Sequence, residues 1–205
     1  MPKLLHIEAS PRKERSRSVM VANEFLTAYR KKNPHEPIDT LNVWDIDLPQ
    51  FNGPMLDAKY AVLHGERFTN TQEKQWAEVQ RLFDYFNSYD NYLFSIPMWN
   101  FLIPYRLKQY IDVITQPGMA WSYTPEEGYQ GLLINKKATI IFSSGDAYGE
   151  GTGFEHFDKQ KPYIHLWLNF IGITAIDAVN VEATLFEDRT NREEAIQNAI
   201  TLGAN

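Results

Sequence analysis

Tyr92-Leu93-Phe94-Ser95-Ile96-Pro97-Met98-Trp99-Asn100-Phe101 is an apolar run that breaks into a thioether, an indole, a carboxamide and a phenyl ring, and Pro104 then opens a helical stretch. A short, near-continuous apolar run of this kind reads as a strand buried on both faces, as in a parallel sheet. The C-terminal end of such a strand is where open α/β sheets bind ligands. The side chains of Met98 to Phe101 suit the face and polar edge of an aromatic ligand. They suit ordinary core packing equally well, so the surrounding chain has to decide.

Four similar runs flank this one: Leu4 to Ala9, Ile38 to Val43, Ala138 to Ser143 and Ile173 to Val181. Helical patterns fall between them. Val19, Ala22, Leu26 and Tyr29 share a face, as do Trp76, Val79, Phe83 and Phe86. Leu107, Tyr110, Ile111 and Ile114 follow the i, i+3, i+4, i+7 template, and Tyr163, Leu166, Trp167 and Phe170 nearly do. Thr69 with Gln72, and Thr190 with Glu193, read as capping boxes, the second opening the last helix.

The order is a β–α unit repeated five times, which predicts an α/β fold of three layers, a parallel sheet with helices on both faces. With right-handed crossovers, the expected architecture is a flavodoxin-like, doubly wound, five-stranded parallel sheet of order 2-1-3-4-5. No repeat or linker divides the chain, so one domain is expected over residues 1–205. Residues 44–68 and 119–137 are longer inserts than such a fold needs, read as loops with either a functional or a decorative role.

Composition narrows the function. The 205 residues carry a net charge of −6, so no excess positive charge argues for nucleic acid or an anionic membrane. Cysteine is absent, which excludes disulfides, thiolate metal sites and cysteine nucleophiles. No stretch approaches the roughly 18 apolar residues of a transmembrane helix, and the N-terminal apolar stretch is too short for a signal peptide. A cytoplasmic protein is expected. The five histidines lack ligand spacing, so no metal is expected. His6, in a strand, reads as structural, and no Gly-x-Ser-x-Gly elbow supports a serine hydrolase.

Three strand ends carry candidate chemistry. After Ala9 comes Ser10-Pro11-Arg12-Lys13-Glu14-Arg15-Ser16-Arg17-Ser18, with hydroxyls and basic residues around a helix N-terminus that favours an anion. It is neither a Walker A loop nor a dinucleotide fingerprint. The bland alternative is a serine cap behind a solvated basic loop. The second end is Met98 to Phe101. The third, after Ile140-Ile141-Phe142, is Ser143-Ser144-Gly145-Asp146-Ala147-Tyr148, where Gly145 permits close approach of backbone to a ligand. The following Gly149-Glu150-Gly151-Thr152-Gly153 lacks nucleotide-loop spacing and reads as a flexible turn. In a doubly wound sheet the three ends meet at the switch point. Phosphate at the first and a planar ring between the other two is the arrangement of a bound flavin mononucleotide.

On these residues the chain resembles, essentially end to end, the FMN-dependent NADH azoreductase and quinone reductase family. The family's phosphate- and ribityl-binding serines correspond to Ser10 and Ser16-Arg17-Ser18. Its Met-Tyr-Asn-Phe segment corresponds to Met98-Trp99-Asn100-Phe101, with Trp99 in place of Tyr. Leu107-Lys108-Gln109-Tyr110-Ile111-Asp112, Lys136-Lys137-Ala138 and Phe170-Ile171-Gly172-Ile173-Thr174 are similar as well. The family's Ser-Arg-Gly-Gly loop stands here as Ser143-Ser144-Gly145-Asp146, so that an arginine is lost and a carboxylate gained near the flavin. Such a charge is expected to disfavour an anionic reduced flavin and lower its potential.

The resemblance implies bound FMN, NADH or NADPH as hydride donor to flavin N5, and a ping-pong cycle in which a quinone or azo compound then accepts two electrons. It implies a homodimer, no essential general base, and an acceptor pocket of Phe51, Trp121, Tyr123 and Tyr148, some of it supplied by a second subunit. For Trp121 and Tyr123 the alternative is loop anchoring. Three other functions stay open: a flavodoxin-type electron carrier, a phosphodiester hydrolase using Ser10 and the basic loop, and a cofactor-free binding module.

Overall fold

A computed structural model describes residues 1–186 and 189–205. Five strands, β1 (Leu4–Glu8), β2 (Ile38–Asn42), β3 (Asn91–Pro97), β6 (Lys137–Ser143) and β7 (Ala175–Val181), form one parallel sheet in the order β2-β1-β3-β6-β7. Two further strands, β4 (Trp121–Thr124) and β5 (Gly128–Gly131), pair antiparallel outside it. The parallel strands therefore stand beside the neighbours expected of them. The labels differ because a hairpin, absent from the sequence reading, intervenes.

Alternation along each strand builds two cores. Leu5, Ile7, Phe94, Ile96, Ile140 and Phe142 face one side. There they meet α2 (Gly53–His64), α3 (Asn70–Asn87), α4 (Tyr105–Ile114) and α5 (Gln160–Ile171). Leu4, Leu93, Ile141 and Val179 face the other side and meet α1 (Arg17–Lys32) and α6 (Arg189–Gly203). The capping box at Thr69 forms: its Oγ1 accepts from Gln72 N, and Gln72 Oε1 accepts from Thr69 N at 2.8 Å. The expected start of the last helix at Thr190 falls one residue inside α6, and residues 187–188 before it lie outside the described residues.

Both inserts are more ordered than loops. Asn52 Oδ1 accepts from Met55 N at 3.3 Å, Pro54 sits in the first turn, and Gly65 at φ 67° ends α2. The second insert is the β4–β5 hairpin, seated on the end of α5. A Cβ at Gly131 would lie 2.2 Å from Gly172 N, so only glycine permits this approach. Leu133 N donates to Ile171 O at 2.9 Å beside it. Among the described residues no helix is long and apolar enough to cross a membrane.

His6 is 1% exposed in β1. Its Nε2 lies 3.1 Å from Ser95 Oγ and its Nδ1 3.7 Å from Glu8 Oε1. The line Glu8–His6–Ser95 has the order of a hydrolase triad, but Ser95 is fully buried within the sheet and no substrate reaches it. Burial, then the positive charge of Arg30, pushes the His6 pKa down to about 4. Between about 6.5 and 4 the unfolded chain therefore holds a proton that the folded protein does not. This contribution is complete above pH 6.5 and is lost as pH falls through 4. A shift of this size corresponds to about 3 kcal/mol. Urea unfolding across pH 7 to 4 is expected to show that loss, and His6→Gln is expected to flatten it; an equal pH slope in the variant would show that His6 is not the group.

Candidate functional site

The first strand end delivers three hydroxyls. Ser10, Ser16 and Ser18 are all buried, although the loop around them is exposed. Ser16 is the N-cap of α1, yet its side chain makes no capping bond; Ser16 Oγ and Ser18 Oγ share one hydrogen bond of 3.1 Å with each other. Ser10 Oγ accepts from Arg12 N at 3.3 Å. The bland reading, a serine that caps its own helix, thus does not describe Ser16. The first-turn amides of a helix have no partners within it, and here buried hydroxyls accompany them, a donor set matched to a phosphate. Arg17, half-buried, has its guanidinium 3.9 Å from Met20 Sδ.

The second strand end is a strained turn. Trp99 N donates to Leu102 O at 2.8 Å and Leu102 N to Trp99 O at 3.0 Å, closing a two-residue loop. Asn100 has φ 46° and Phe101 φ 70°, the two positive values of a type I′ turn. Asparagine tolerates that region, whereas phenylalanine there costs about 1–2 kcal/mol. Residues held this way cluster at functional sites. The Phe101 ring is kept in spite of its backbone: it stacks on Phe157 at 5.0 Å and meets Tyr148 edge-on at 6.3 Å. Trp99 packs in a cluster with Trp44 and Tyr105. Met98 is half-buried, and its N donates to Ser143 O at 2.7 Å, which ties the second end to the third.

At the third end Ser143 and Ser144 are buried. Ser144 Oγ donates to Asp146 O at 2.7 Å, and Asp146 Oδ1 accepts from Ala147 N at 2.8 Å, so the carboxylate that replaces the family's glycine is held by its own turn. Gly145 has another neighbour than the expected one. A Cβ there would come 2.8 Å from the tip of the exposed Leu185, a flexible side chain free to move.

The structure thus brings together Ser10, Ser16, Arg17 and Ser18 on the first loop, Met98 to Phe101 on the second, and Ser143 to Asp146 on the third, with Tyr148 joined to the second through Phe101. The remaining aromatic candidates stand elsewhere in the monomer. Trp121 packs on Tyr129 and Phe170, Tyr123 on Tyr129, and Phe51 lines a groove with Tyr163, Trp167 and Phe170. Sequence reading did not find the supports of the second turn. Lys159 N donates to Phe101 O at 2.9 Å, and the buried Gln160 donates its amide to Ile96 O at 3.1 Å. The start of α5 therefore holds the turn in place. Among the described residues no group of three or more His, Asp or Glu is placed to hold a metal.

Phe101→Gly is expected to be more stable than Phe101→Ala by about 1 kcal/mol, because both lose the ring and only alanine keeps the strain. Chemical denaturation measures the difference, and an alanine variant as stable as the glycine variant contradicts the turn.

Known proteins resemble this chain along nearly its whole length. The family described as "Flavodoxin-like fold" matches residues 2–202, and the chain belongs to it. An FMN-dependent NADH:quinone oxidoreductase of Desulfotalea psychrophila is 45% identical over 199 residues, covering 97% of this chain and 93% of that protein. FMN-dependent NADH:quinone oxidoreductase 3 of Pseudomonas fluorescens is 40% identical over 207 residues, covering 98% and 96%. Among solved structures, an FMN-dependent NADH-azoreductase from Bacillus anthracis in complex with FMN superposes with a TM-score of 0.89 at 26% identity, covering 100% of this chain and 98% of that one.

Proposed function

We propose that this member of the flavodoxin-like family is an FMN-dependent NAD(P)H oxidoreductase that reduces quinones and azo compounds, with residues 1–205 forming a single flavin-binding domain. The observation that carries the reading is the set of three buried hydroxyls at the start of α1, beside a strained aromatic turn tied to the third loop. Relatives at 40–45% identity over nearly the whole chain, named for this activity, support it.

The residues present fit the cofactor. Ser10, Ser16 and Ser18, with the first-turn amides of α1, would hold the phosphate, and Arg17 adds charge. Met98, Trp99 and Phe101 would pack the ring system, and Asn100 would serve its polar edge. Ser143 to Asp146 would bound the other side. Bound FMN supplies the hydride and two-electron chemistry. The chain's part is to bind it, orient it and leave one face open, which donor and acceptor occupy in turn in a ping-pong order. No essential general base is required of these side chains, and protons come from solvent.

The aromatic face on the far side of α4 and α5 has a place in this reading. A groove of about 450 Å³ runs beside Leu166, which is 68% exposed, and the hairpin presents Tyr129 and Tyr123 at 64% and 57%. Apolar patches of this kind mark interaction surfaces. A second copy of the chain is the occupant that also brings Phe51, Trp121 and Tyr123 to an acceptor pocket, through a symmetric interface. Leu166→Asp is expected to shift the protein from dimer to monomer in sedimentation; wild-type protein that sediments as a monomer overturns the assembly.

Anaerobic addition of NADH to the yellow protein tests the activity. Full and rapid bleaching of the flavin is expected, whereas an electron carrier requires a separate reductase and stays coloured. Ser18→Ala is expected to weaken FMN binding roughly 10- to 100-fold, the loss of one charge-assisted hydrogen bond of about 1.5–3 kcal/mol. Titration of apoprotein with FMN measures it, and unchanged affinity removes Ser18 from the phosphate site.

A further inference from the structure

A cavity of about 540 Å³ opens at the β2 edge of the sheet, between α1 and α3, where β1, β2 and the β1–α1 loop meet. Its volume is that of a small-molecule site. Val19, Leu41 and Leu82 supply apolar wall, and Glu8, Glu14 and Asp45 supply carboxylates. The cavity shares the β1–α1 loop with the serines: Lys13 and Glu14 belong to its lining, and Ser10, Ser16 and Ser18 do not.

A charge census decides what the cavity accepts. Its two cations are already engaged. Lys13 reaches Asp45 at 3.5 Å, and Arg81 is bound by Glu78 through Nε and Nη2. Among the described residues neither Glu8 nor Glu14 has a lysine or arginine within ion-pair distance. Glu8 is the deeper of the two. Its side chain is 18% exposed, Oε2 accepts from Asn42 Nδ2 at 3.3 Å, and Oε1 faces a neutral imidazole. Glu14 and Asp45 act on it as like charges, opposed by Lys13, which is itself drawn to Asp45. A carboxylate so placed has given up most of its water without gaining a cation in direct contact. The Lys13–Asp45 pair at the rim is more than half exposed on both sides and holds the entrance only weakly.

We propose that this cavity is a second small-molecule site, for an organic cation with an apolar body, anchored on the Glu8 carboxylate. An amidinium or ammonium head supplies a cation in direct contact, and the body takes the wall of Val19, Leu41 and Leu82. A neutral isostere leaves Glu8 unpaired, and an anion meets three carboxylates.

The test uses benzamidinium, benzamide and benzoate, which share one ring and differ in charge, titrated calorimetrically into the protein as purified at low salt. Saturable binding of benzamidinium is expected, with benzamide at least tenfold weaker and benzoate undetectable. Glu8→Gln is expected to raise the benzamidinium Kd at least tenfold, while Glu126→Gln, on the exposed hairpin turn, leaves it unchanged. Leu82→Trp, which fills the cavity from α3, is expected to abolish binding and serves if Glu8→Gln does not fold. Equal affinity for benzamide, an unchanged Kd in Glu8→Gln or Leu82→Trp, or absence of saturable binding overturns the proposal. None of these readouts measures flavin binding or flavin chemistry, so failure of this proposal leaves the proposed activity standing.

Discussion

A parallel strand that stops leaves its last amides and carbonyls without a ladder, and buried groups of this kind must find partners. This chain closes its strand ends against one another. Val43 N donates to Glu8 O at 3.1 Å, Ala9 N to Ser95 O at 3.1 Å, Met98 N to Ser143 O at 2.7 Å, and Ser144 N to Val181 O at 3.1 Å. Each bond lies at the exit of a strand, so the loops leave the sheet in fixed register. The serine loop, the strained turn and the Asp146 turn are positioned by this seam. Their own side chains only have to present chemistry.

The seam also explains how the second loop carries its strain. A phenylalanine in the left-handed region persists only where the surroundings over-determine it. Here the turn is fixed at its base by Met98 N, across its neck by the Trp99–Leu102 pair, and at its tip by Lys159 N. Stacking on Phe157 returns part of the cost. Aromatic packing and backbone bonding thus act on opposite sides of one residue, and the ring is held at the mouth of the site rather than in the core.

How much of this was legible in the sequence follows from the physics of each element. The five parallel strands were, because burial on both faces leaves a near-continuous apolar run such as Tyr92 to Pro97. The serine loop was, because helix start and hydroxyl spacing are local. Helix α2 was not: it buries only Met55, Ala58 and Ala61 and exposes Leu56, Tyr60 and Leu63, so its apolar residues do not form one stripe. The β4–β5 hairpin was hidden for a similar reason, its strands being four residues each and largely exposed. The left-handed Phe101 was illegible in principle, since no local preference calls for it; tertiary contacts impose it. The hold of Lys159 and Gln160 on the turn depends on residues some sixty positions away, beyond any local pattern.

Charge in the first loop has a consequence that composition conceals. Arg12, Lys13, Arg15 and Arg17 make the segment read as uniformly basic, suited to a phosphate. In three dimensions its two sides differ. One side holds buried serine hydroxyls and free helix amides, which favour an anion. The other faces Glu8 and Asp45, with Glu14 of the loop itself turned toward them and Lys13 reaching across to Asp45. The loop therefore borders regions of opposite preference, with Lys13 drawn to the acidic one. An anion on one side and a cation on the other would each relieve the field the other creates, because opposite charges across a short, partly desolvated distance attract. The same few residues, read as a phosphate loop from the sequence, thus border both the proposed phosphate site and the proposed cation site.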